Sequence, residues 1–61
     1  MERIIYHKKT KKGNHKLYAY IVHKGKEYID HEYKCETEES LFDYFFLNNP
    51  EYKNATIIEK T

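Results

Sequence analysis

Sixty-one residues with one cysteine, Cys35, and two glycines make a single domain, 1–61, with no internal disulfide and no glycine-rich phosphate loop. Hydrophobic residues are 39% of the chain, and no apolar run approaches the length of a membrane span. The formal net charge of +1 hides a division: residues 1–26 hold eight bases against one acid, and residues 27–61 hold three against nine.

Alternation predicts a first strand from about Arg3 to Lys9, with Ile4, Tyr6 and Lys8 on one side and Ile5, His7 and Lys9 on the other. Lys11-Lys12-Gly13-Asn14 supplies a turn, because Gly and Asn tolerate positive φ. A second strand, about His15 to His23, contains Leu17-Tyr18-Ala19-Tyr20-Ile21-Val22 and reads as a central strand buried on one face and partly covered on the other. Lys24-Gly25 then turns the chain into a third strand, Lys26 to Cys35.

Two registers are open for that hairpin. A two-residue turn pairs Tyr20 with Ile29, whereas a three-residue turn with a glycine bulge pairs Ala19 with Ile29 and Leu17 with His31. The bulged turn is preferred. It gathers Leu17, Ala19, Ile21 and Ile29 on an aliphatic core face and leaves Tyr18, Tyr20 and Tyr28 opposite, beside Asp30 and Glu32.

Thr37 is a good N-cap, with Glu38 and Glu39 in the first turn where the helix dipole favours anions. Leu41, Phe42, Phe45 and Phe46 recur at helical spacing, and Asn48-Asn49-Pro50 stops the helix at about Asn48. Ala55 to Glu59 reads as a closing strand. The expected fold is α+β: a small antiparallel sheet, in the order β-β-β-α-β, with one amphipathic helix across one face. Leu41, Phe42, Phe45 and Ile29 are expected to be structural.

No residue pattern supports catalysis or a cofactor. His7, His15, His23 and His31 fall eight apart, but zinc needs ligands converging within about 2.0–2.3 Å, and residues so spaced in different strands and turns read as surface histidines. His31 and Cys35, four apart on one strand, lie about 13 Å apart. The expectation is a non-enzyme without metal. A lone Cys and the lack of a secretory h-region in the opening residues point to the cytoplasm, away from membranes. Ten Lys, seven Tyr, six Ile and four Asn have AT-rich codons and suggest a bacterial or phage source.

Two association readings remain. The leading one is a protein-binding module, a phage or mobile-element regulator or inhibitor occupying a host or phage protein. It would use an acidic, tyrosine-rich face of Tyr18, Tyr20, Tyr28, Asp30 and Glu32. The alternative is DNA or RNA binding by the basic amino-terminal hairpin, through Lys8, Lys9, Lys11, Lys12, Lys16, Lys24 and Lys26 with surface tyrosines for stacking. Lys16-Leu17-Tyr18-Ala19-Tyr20, Lys24-Gly25-Lys26 and Thr37-Glu38-Glu39, about a third of the chain, resemble the hairpin-then-helix order of the small DNA-binding domains of arm-type integrases. The closing strand and the lack of Trp depart from that pattern, and one Arg is poor equipment for base readout. Uncovered tyrosine surface also leads to an expectation of homodimers.

Overall fold

The computed structural model describes residues 2–60, with Glu38 described by its backbone alone, so the expected role of its carboxylate lies outside the described residues. The elements are β1 (Glu2–Lys9), β2 (His15–His23), β3 (Lys26–Cys35), α1 (Glu38–Asn48), a 3-10 turn (Pro50–Tyr52) and β4 (Thr56–Lys60). The fold is α+β in the expected order, and the four strands stand in the sheet as β3-β2-β1-β4.

Local chemistry explains the boundaries. Thr37 caps α1, its Oγ1 accepting from the Ser40 N–H at 3.2 Å. At the other end Asn49 is buried and its side-chain amide donates to the Phe45 carbonyl at 3.0 Å, before Pro50 opens the 3-10 turn. Lys24 and Gly25 both have positive φ, 53° and 78°, the conformation of a two-residue type I′ hairpin turn.

The turn corrects the preferred hairpin register. His23 pairs with Lys26 and Tyr20 with Ile29, so the turn holds two residues. The extra residue sits deeper in the strand: between Tyr20–Ile29 and Ala19–His31, Asp30 has no partner and forms a β-bulge. Ile29 therefore shares a face with Tyr20 and is 57% exposed, not part of the core. Tyr28 pairs with Ile21 and faces away from Tyr18 and Tyr20.

The last strand supplies a second correction. β1 and β3 pair antiparallel with β2, but β4 lies parallel to β1, making the sheet mixed. The cause is the helix. β3 and β4 occupy opposite edges, and the helix, about 16 Å long, with the 3-10 turn after it carries the chain back until β4 begins beside Ile4, level with Ile29 of β3. The closing strand must then run the same way as β3 and β1.

Ile5, Leu17 and Ala19 from the sheet meet Leu41 and Phe45 from α1 and Tyr52 from the 3-10 turn, all essentially buried, with Phe42 and Phe46 half-buried beside them. The expected helical stripe thus forms one wall of the core. Tyr52, overlooked because it follows the stop signal, forms part of another. Two histidines expected on the surface also join this side: His7 is buried with its ring 5.0 Å from Phe42, and His31 packs edge-on against Phe45 and Tyr52 at 5.7 and 5.8 Å.

Candidate nucleic-acid interface

Because the helix covers only one face of the sheet, the other is open, and pairing register decides what stands on it. Lys60 pairs with Lys8, Lys8 with Lys16 and Lys16 with Lys34, so one lysine from each strand forms a row across the whole sheet. Three interstrand spacings of about 4.8 Å make that row about 14 Å long. The next row on the same face is Ile58, Tyr6, Tyr18 and Glu32, and the third is Thr56, Ile4, Tyr20 and Ile29. Beyond them lie Glu2, Val22 and Glu27. The open face therefore runs from cationic, through aromatic and aliphatic, to acidic along the strand direction.

Two lysines of the row, Lys60 and Lys8, turn their heads toward the rings. Lys60 Nζ stands 4.6 Å from the Tyr6 centroid and Lys8 Nζ 5.8 Å from the Tyr18 centroid, both within cation–π range. Tyr6 meets Tyr20 edge-to-face at 5.4 Å, and its hydroxyl donates to Glu27 Oε1 at 2.7 Å. That hydrogen bond to a carboxylate, followed by desolvation, raises the Tyr6 pKa above its ordinary value and keeps the phenol neutral. Tyr6, Lys8, Tyr18, Tyr20 and Lys60 border an open depression of about 340 Å³. Lys11 and Lys12, in the β1–β2 turn, border a neighbouring one of about 320 Å³ with Lys16 and Lys34.

The seven lysines expected to bind nucleic acid divide. Lys8 and Lys16 stand in the row and Lys11 and Lys12 flank it, whereas Lys9 points to the helix side. Lys24 and Lys26 sit at the β2–β3 turn, the far end of the sheet. Lys34 and Lys60 complete the row from the acidic half of the sequence. The expected protein-binding set divides as well: Tyr18, Tyr20 and Glu32 share the open face, but Tyr28 and Asp30 do not.

Asp30 leaves because the two-residue turn places Ile29 on the open face, so the residue after it falls on the helix side, and the bulge keeps His31 there beside it. There Asp30 Oδ2 accepts from the Tyr52 hydroxyl at 2.6 Å and lies 3.2 Å from His31 Nε2, while the Arg3 guanidinium stands 5.5 Å from the Tyr52 ring centroid. Burial, and then the hydrogen bond to Asp30, push the Tyr52 phenol well above the ordinary tyrosine range. A proton held more tightly in the folded state stabilises it fully below the unfolded pKa of about 10, and that contribution is lost as pH rises beyond it. Chemical denaturation midpoints should therefore start to drop at about pH 10 and keep dropping as pH rises further. Tyr52→Phe should be less stable at neutral pH yet show a shallower alkaline decline; parallel declines in the two proteins would contradict this role for Tyr52.

Among the described residues no three His, Cys, Asp or Glu side chains form a group able to hold a metal ion, and no helix is long and apolar enough to cross a membrane. Compared with known protein families, curated proteins and solved structures, the chain has no match.

Proposed function

We propose that this protein is a non-catalytic nucleic-acid-binding domain that uses the open face of its sheet. The observation that carries the reading is the cross-strand row Lys60–Lys8–Lys16–Lys34. Like charges directly opposite one another on a sheet are destabilising. Four lysines in consecutive register raise this cost at every strand pair, and an anionic polymer is a ligand that relieves all of it at once. Lysines also act as point charges toward phosphate, which suits binding without base-specific readout.

The acidic protein-docking reading draws less support, because its five residues are spread over two faces and Asp30 is already engaged by Tyr52. Anisotropy of a labelled oligonucleotide, titrated at several salt concentrations, tests the nucleic-acid reading. Four phosphate contacts predict a slope of log affinity against log salt of about −3 for a single strand. Binding that ignores salt, or no binding at low salt, would refute it.

A further inference from the structure

Resting on that reading, we infer that the ligand is a single strand whose backbone crosses the sheet along the lysine row while its bases lie on Tyr6 and Tyr18. The lysine and tyrosine rows are adjacent on one face, two residues apart along each strand, hence about 7 Å apart. A sugar-phosphate chain laid on the first row places its bases over the second. At a stacked rise of about 3.4 Å, the 14 Å row accommodates about four nucleotides, and fewer where bases splay.

Orientation follows from the charge gradient. Glu2 and Glu27 at the far end of the same face repel phosphate, so the backbone stays at the lysine end and the bases point toward the acids. A duplex satisfies the lysines but keeps its base faces inside its own stack, leaving the tyrosines without a partner. Aromatic stacking is tolerant of sequence, since every base has a π-face.

The lysines also prepare the site. The ammonium groups of Lys60 and Lys8 stand over the Tyr6 and Tyr18 rings. A phosphate is a stronger partner for an ammonium than a ring is, so the incoming backbone draws both heads away and uncovers the ring faces for bases. Charge neutralisation and stacking are thereby one event.

The test compares a labelled ten-nucleotide oligothymidylate with a hairpin duplex carrying the same number of phosphates. The expected result is at least about tenfold tighter binding of the single strand, with loss of intrinsic tyrosine fluorescence on binding. Tyr18→Leu should lose about tenfold on the single strand and little on the duplex, while Tyr18→Phe, which keeps the ring, should retain affinity. Circular dichroism confirms that each variant is folded, and Tyr6→Leu provides a second ring deletion should Tyr18→Leu fail to fold. Equal affinity for both probes, or a folded ring-deleted variant that binds the single strand normally, overturns the inference and leaves the nucleic-acid reading standing. Failure of both probes to bind at low salt removes the reading itself.

Discussion

Phe45→Ala should leave the protein largely unfolded at room temperature. Phe45 is fully buried and makes edge-to-face contacts with Tyr33 at 5.4 Å, Tyr52 at 5.1 Å, His31 at 5.7 Å and Phe46 at 5.8 Å. Truncating a buried Phe costs about 3–5 kcal/mol through lost transfer free energy and the cavity that remains. A core with six buried hydrophobic side chains among the described residues, in a chain this short, supplies total stability of about that size. Loss of the cooperative transition, followed by circular dichroism during denaturation, is the expected result. A variant melting within a few degrees of the parent would mean that α1 does not pack on the sheet through this ring.

The second large effect runs in opposite directions for folding and for binding. Lys8 stands between Lys60 and Lys16, so Lys8→Glu converts two repulsive neighbours into two attractive ones. Cross-strand charge pairs contribute about 0.2–1 kcal/mol each, so the variant should gain about 1 kcal/mol at low salt. In a domain of this size that raises Tm by about 4–8 °C. Binding should suffer: removing one phosphate contact and placing a carboxylate beside the backbone reduces four effective charges to two. The salt slope then falls from about −3 to about −1.5, with affinity down on the order of tenfold to a hundredfold at low salt. A protein made more stable that binds less well is the signature of a charge row kept for a ligand. If both stability and affinity fell, the row would be structural; if affinity were unchanged, the nucleic acid would lie elsewhere.

Element boundaries were legible in the sequence because local chemistry sets them. Gly13 and Gly25 provide positive-φ turns, Thr37 caps the helix, and Asn49-Pro50 ends it, so the second and third strands and the helix match their expected limits. The apolar stripe through Leu41 and Phe45 was equally plain, since helical spacing alone puts them on one side.

What the chain order concealed was the pairing between strands. Lys34 and Lys60 belong to the acidic half of the sequence, yet register joins them to Lys8 and Lys16. Symmetry about the first turn could have revealed Lys8 opposite Lys16; Lys34 needed the bulge and Lys60 the parallel strand. The bulge residue, Asp30, carries no local mark, and its displacement is accompanied by a hydrogen bond to Tyr52, twenty-two residues away. By itself the sequence determined the four strands, the α-helix, their order and the helix face, because turns, caps and periodicity act over a few residues, but not the 3-10 turn that carries Tyr52. Only the tertiary structure decided the two-residue turn, the parallel last strand and the four-lysine row. Those depend on hydrogen bonds between distant segments, where a shift of one residue moves a side chain to the opposite face.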